Sequence, residues 1–200
     1  LLADNYVGEI MACNMTMFLP GLLQRGLDRA WMADRNQGAN TLTIATGHAI
    51  DVLCFCVGEF KEVSSQVATQ VPHWETSEPG QTVEVTAADN ILVNGVLTNG
   101  AVASMHVATV PWHGTGWRME VYGRDGTLVA SSSQMVQYAQ IRLQGGRAND
   151  SALEDLPVPE RLTWVPGEVP QGAPFNVAQM YQRLGTAIRE GEEVEPDFDL

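Results

Sequence analysis

From Phe60 to Leu143 the chain is written in short runs of alternating apolar and polar residues, most of them closed by turn-forming residues. Alternation at a period of two puts every second side chain on the same face of a strand. Lys61 to Val71, Gln81 to Val85, Ile91 to Leu97, Ala101 to Val110, Trp117 to Tyr122, Thr127 to Ala130 and Val136 to Leu143 all read this way. The loop Pro72 to Gly80 ends the first run, and Gly145-Gly146 ends the last. Thr98-Asn99-Gly100 joins one pair as a hairpin because Asn-Gly accepts positive φ, and Gly123-Arg124-Asp125-Gly126 joins another. Such a chain is committed to a broad, mainly antiparallel sheet.

Helices bracket these strands. Val7 to Phe18 is an earlier strand, broken by Pro20-Gly21, and Leu22 to Met32 reads as a short helix or an irregular excursion. After the loop Asp34 to Gly38, Thr41 to Val57 is nearly all apolar or small, with Asn40 placed to cap its start and Gly58 its end. A helix apolar on most sides is expected to be buried on most sides. Arg147 to Gly172, rich in Pro, Gly and acids, reads as a long surface segment. Val177, Met180, Tyr181, Leu184 and Ile188 then mark an amphipathic helix from Phe175 to Glu190, stopped by Gly191. The acidic end, Glu192 to Leu200, reads as a solvated tail.

The expected fold is therefore α+β, a large mainly antiparallel sheet with helices on one face. Ala101 to Val110 carries apolar residues on both faces. The sheet's other face is thus expected to meet a second copy of the chain, giving a homodimer or homotetramer.

Composition narrows the partners. Two hundred residues suit one domain, residues 1–200, and 44% hydrophobic residues suffice for a core. A formal charge of −13 repels phosphate backbones, so no nucleic-acid partner is expected. No membrane association is expected either, since no unbroken apolar run reaches the roughly 18 residues of a span, and no basic-then-apolar leader is visible. The three cysteines, Cys13, Cys54 and Cys56, are odd in number, as for reduced thiols in a cytoplasmic protein. No metal is expected, because Cys54 and Cys56 point to different sides of a helix and the four histidines lack ligand spacing.

His48 and Asp51 stand out inside the apolar helix. At i and i+3 they share a face, and a buried pair of this kind must be mutually bonded or functional. A structural hydrogen-bonded pair and an acid/base pair both satisfy that condition. Trp112, between two strands, can floor a pocket or pack on the sheet, and His73-Trp74 can line a cleft or anchor a loop.

The stretch Gly38-Ala39-Asn40-Thr41-Leu42, His48-Ala49-Ile50-Asp51-Val52-Leu53 and Gly58-Glu59 resembles the second-domain signature of the glucose–fructose oxidoreductase / inositol dehydrogenase (Gfo/Idh/MocA) family. Val7-Gly8-Glu9-Ile10 looks like that domain's opening strand, Trp31 with Asp34 like the loop before the helix, and Glu120-Val121-Tyr122-Gly123 with Gly126-Thr127-Leu128 like its late hairpin. The resemblance implies a dihydrodipicolinate-reductase-like C-terminal domain. It also implies a probable oxidoreductase acting on a sugar, polyol or related hydroxy compound, a small-molecule substrate. NAD or NADP would be bound mainly by an N-terminal Rossmann domain that this chain lacks. His48 is then the carried-over acid/base, Asp51 an orienting or structural residue, and Trp31, Thr41 and Trp112 substrate contacts. Ile44 stands where the family usually has aspartate, Thr46 where it has glycine, and the glycine triplet is reduced to Gly38-Ala39-Asn40. These departures resemble the subgroup related to the fungal galactose-pathway repressor, which implies an alternative: a non-catalytic dinucleotide- or ligand-sensing regulator. Chemistry from this chain alone is not expected, since no Gly-x-Gly-x-x-Gly follows a strand and the family's Glu-Lys-Pro is absent.

Overall fold

The computed structural model describes residues 1–21, 23–138 and 140–192. Its elements run β1 (Ile10–Pro20), β2 (Gln24–Arg25), α1 (Thr46–Val57), β3 (Phe60–Ala68), β4 (His73–Thr76), β5 (Thr82–Glu84), β6 (Asn90–Leu97), β7 (Val102–Val110), β8 (Gly116–Gly123), β9 (Gly126–Ser132), β10 (Arg142–Arg147), β11 (Glu154–Asp155) and α2 (Ala173–Glu190). Eight strands form one sheet in the order β11-β10-β9-β8-β1-β7-β6-β3, and β2-β4-β5 form a small second sheet. The α+β expectation is met: the large sheet is antiparallel except where β1 runs parallel to β7.

The helix-covered face holds the main core. Cys13, Met15 and Met17 of β1, Ala103, Met105 and Val107 of β7, and Met119 and Val121 of β8 meet Ala45, Ala49, Leu53 and Val57. Those four recur every fourth residue, so one stripe of the helix seats on the sheet. Burying a side chain such as Leu53, which is 0% exposed, is worth roughly 2 kcal/mol.

The opposite face of the sheet is polar at its centre. Asn14 Nδ2 donates to Glu120 Oε2 at 3.0 Å, and Ser104 Oγ donates to Asn14 Oδ1 at 2.9 Å. Arg118 donates to Glu120 Oε1 through Nε at 3.0 Å and Nη2 at 2.8 Å. Burial pushes the Glu120 carboxyl up, but the Asn14 and Arg118 donors more than offset this and hold it below its ordinary value. Apolar Val102, Leu92 and Tyr122 flank this ladder and are exposed.

Several sequence expectations need correction. The segment Thr41 to Val57 is a π-helical turn, Thr41–Ala45, running into α1, and it is buried on its sheet side only. Leu42, Ile44, His48, Asp51 and Phe55 are exposed. A uniformly apolar helix gives no sequence signal of which side the chain itself covers. The caps are as expected: the Asn40 side chain accepts from the backbone of Leu42 and Thr43, and Gly58 N–H donates to Cys54 O at 2.9 Å with φ 98°. By length and composition Arg35–Val57 does reach what a membrane span requires. Here that stretch is broken into 3-10, π and α pieces, with Gly38 left-handed between the first two.

The last large strand is Arg142–Arg147 rather than Val136 to Leu143. It runs through Gly145 and Gly146, which face crowded neighbours: a Cβ on Gly145 would lie 2.6 Å from Leu156. The expected loop Pro72 to Gly80 contains β4, whose Trp74 is buried with Ala33, Val85 and Ala87 in a second small core. Leu22 lies outside the described residues. Of its expected excursion, the rest resolves into β2 and a 3-10 turn, Leu27–Ala33. The acidic tail from residue 193 onward also lies outside them. Among the described residues α2 fully buries only Ala187.

Candidate ligand cavity and helix face

Strands β1 and β7 run parallel, so their carboxyl ends meet at one end of the sheet, and the π turn begins there. Asn40 closes that turn with a reciprocal cap: its side chain accepts from Leu42 N at 3.0 Å and Thr43 N at 3.2 Å, while Asn40 N donates to Thr43 Oγ1 at 3.2 Å. Thr46 Oγ1 donates to Thr41 O at 3.0 Å, adding a side-chain bond to a carbonyl that already accepts the Thr46 backbone N–H. The hydroxyls of Thr41 and Thr109 share a 2.8 Å hydrogen bond that ties the turn to β7.

A cavity of about 290 Å³ opens beside this turn. Its walls include Asn40, Thr41 and Ile44 from the turn, Arg25 and Arg29 from the segment after β1, and Trp74 from the small sheet. Asp89 forms part of the wall and is already spoken for. Its carboxylate accepts from Gln70 N at 2.9 and 3.0 Å, Val71 N at 2.9 Å and Asn90 Nδ2 at 2.9 Å. The Arg25 guanidinium lies 5.2 Å from the Trp74 ring centroid, a cation–π distance. Burial lowers the Arg25 pKa, and the nearby Arg29 cation lowers it further.

The expected site residues are only partly brought together. Thr41 lines the cavity, and so does Ile44. His48 lies one turn beyond Ile44 on the same exposed stripe, with Asp51 following. Among the described residues no hydrogen bond or ion pair joins His48 to Asp51, so the two share a face without pairing. Trp31 is exposed in its 3-10 turn, where its indole donates to Asp28 O at 3.0 Å. Trp112 is exposed on the loop after β7, at the same end of the sheet, but neither tryptophan lines this cavity. Sequence reasoning named Trp74 as able to line a cleft or anchor a loop, and missed Arg25, Arg29 and Asp89. Two arginines at i and i+4 in a chain with 11 basic residues were the available signal.

The residues present do not by themselves fit a dinucleotide. β1 leads into a loop and 3-10 turns, without the glycine-rich strand-to-helix turn whose amides would seat a pyrophosphate. Among the described residues no cluster of three His, Cys, Asp or Glu side chains could hold a metal ion.

The broad, mostly antiparallel sheet with few helices is the fold of Gfo/Idh/MocA-type C-terminal domains. Residues 1–132 match the family model described as Gal80p, C-terminal domain, and the chain belongs to that family. An uncharacterised oxidoreductase of Synechocystis sp. is 25% identical over 135 residues, covering 66% of this chain and 36% of that protein. A super-repressor mutant of Gal80p from Saccharomyces cerevisiae superposes with a TM-score of 0.81 at 18% identity, over 100% of this chain and 52% of that one. A levoglucosan dehydrogenase in complex with NADH and L-sorbose superposes with a TM-score of 0.78 at 20% identity, over 98% of this chain and 54% of that one. The chain thus spans about half the length of these solved structures, and about a third of the Synechocystis relative.

Proposed function

We propose that this chain is the substrate-binding and dimerisation domain of an NAD(P)-dependent oxidoreductase acting on a sugar, polyol or related hydroxy compound. The observation that carries the reading is the exposed stripe Ile44, His48, Asp51 and Phe55, which starts at the cavity. Phe55 is 87% exposed, an expensive placement unless another surface covers it. A nucleotide-binding domain seated on this stripe would enclose His48 beside the cavity and supply NAD or NADP. His48 then gives or takes the proton at the substrate hydroxyl or carbonyl. Asp51 orients it once the stripe is closed, and Thr41, Trp31 and Trp112 contact substrate from the same end of the sheet. The three free cysteines support a reducing, cytoplasmic setting.

A second reading is a regulator on the same fold that binds ligand without turnover. It is favoured by Ile44, an aliphatic side chain on the cavity wall one turn from His48, where a catalytic carboxylate would be expected from the family resemblance. Steady-state kinetics of the whole protein separate the two. In an enzyme, His48→Asn should lower kcat by about 10²–10⁴-fold, and Ile44→Asp should reshape the pH–rate profile. In a regulator no substrate turns over in any variant, and His48→Asn changes only ligand affinity. An active enzyme indifferent to His48 would remove that residue from the chemistry.

A further inference from the structure

The cavity beside the π turn gathers positive charge in a chain that is acidic as a whole. The chain carries a formal charge of −13, yet two cationic side chains, Arg25 and Arg29, line this cavity against a single acid, Asp89. The oxygens of that carboxylate are occupied by two backbone amides and Asn90. Asp28 approaches Arg29 only at 3.9 Å, with both side chains largely in solvent.

Two donors also lack acceptors. Among the described residues, Arg25 Nε and Trp74 Nε1 are buried without a hydrogen-bond partner. Trp74 is 6% exposed, so its indole N–H has little recourse to water. Buried donors in native structures are nearly always satisfied, so an unpaired one on a cavity wall calls for a partner, whether water, an ion or a bound group. A second cation beside Arg25 is unfavourable until something negative lies between or near them.

We propose that this cavity binds the anionic group, a carboxylate or phosphate, of a hydroxylated ligand, with Arg25 and Arg29 as counter-charges and Trp74 Nε1 as a further donor. The inference rests on the reading that the start of the helix faces a ligand, and it narrows the ligand from hydroxy compounds in general to acidic ones. Asn40 and Thr41 also line the cavity, with the Asn40 side-chain carbonyl bonded to Leu42 N and Thr43 N and the Thr41 hydroxyl bonded to Thr109.

The test is an indole ¹⁵N–¹H titration of the whole protein, with the Trp74 signal assigned by its loss in Trp74→Phe. D-glucuronate, D-glucose 6-phosphate and neutral D-glucose serve as probes. At least one of the two anions should move the Trp74 signal saturably while glucose does not, and the tighter anion identifies carboxylate or phosphate as the source. Arg25→Gln should weaken that response by about tenfold or more, the usual scale of a lost charge-assisted hydrogen bond. Arg29 is exposed, so Arg29→Gln should keep the fold and decides the matter if Arg25→Gln is unstable. No response to either anion, an equal response to glucose, or a response unchanged in the folded arginine variants would overturn the proposal. Turnover is read separately. Anion binding with no turnover leaves this inference standing and removes the enzyme. His48-dependent turnover of neutral sugars, indifferent to Arg25, does the reverse.

Discussion

Asp89 shows how a single carboxylate can organise a corner of the molecule. It is buried and accepts from Gln70, Val71 and Asn90, so it fastens the chain between β3 and β4 to the start of β6. Removing it strands two backbone amides that have no other bonded partner. Asp89→Ala is therefore expected to cost about 2–4 kcal/mol, read as a lower urea midpoint with unchanged slope. Cys13 is the opposite case, a polar atom that the structure keeps silent. Burial, then the neighbouring Cys56, push its thiol up to about 12. At pH 8 only about one molecule in ten thousand would carry the thiolate. Iodoacetamide at pH 8 should leave Cys13 unmodified in the native chain and label it in urea, as peptide mass spectrometry would show. Rapid native labelling would contradict the burial. The sequence pointed to Cys13 as an ordinary strand residue, which it is, and to His48 as a buried partner of Asp51, whereas His48 is exposed. Asp89 left no local sign, because its significance comes from neighbours far away in the chain, and Arg25 left only its spacing from Arg29.

At the scale of elements, local signals carried most of the reading. The Asn40 cap, the Gly58 stop and the Asn99-Gly100 hairpin each depend on residues close in sequence, and each lies where expected. Failures came where tertiary contact decides. β10 begins six residues later than its alternation suggested, at Arg142 rather than Val136. β4 forms inside an apparent loop because Trp74 has a core to enter. Gly95 is another position fixed by contact. It pairs with Val63, next to the register shift between Phe60 and Glu62, and a Cβ there would lie 1.9 Å from Glu62 O. Backbone must move to admit it, so Gly95→Ala should cost about 1–3 kcal/mol. Ser104→Ala, on the solvent side of the neighbouring strand β7, should stay within about 1 kcal/mol. Equal melting shifts for the two variants would show that the bulge is soft.

The whole molecule leaves two surfaces unfinished. One is the α1 stripe, and the other is the open sheet face, with Val102 59% exposed beside the polar ladder. We expect the latter to pair with a second copy about a two-fold axis, because a self-complementary face buries its own apolar flank. Sedimentation of the chain at micromolar concentration should give a dimer or tetramer, and Val102→Arg should shift it toward monomer. A monomeric wild type would reject the arrangement. The central place of β1 carries one more consequence. Its residues leave the ribosome among the first of this chain, yet its two hydrogen-bonding edges belong to β7 and β8, with Ala12 opposite Val102 on one side and Tyr122 on the other. Until β7 has been synthesised, through Val110, Met15 and Met17 have no sheet to enter. The core thus cannot close in the order in which it is made, and such long-range closure is slow and exposes unpaired edges. A nascent chain halted before β7 should consequently depend on chaperones, and one halted after β9 should not.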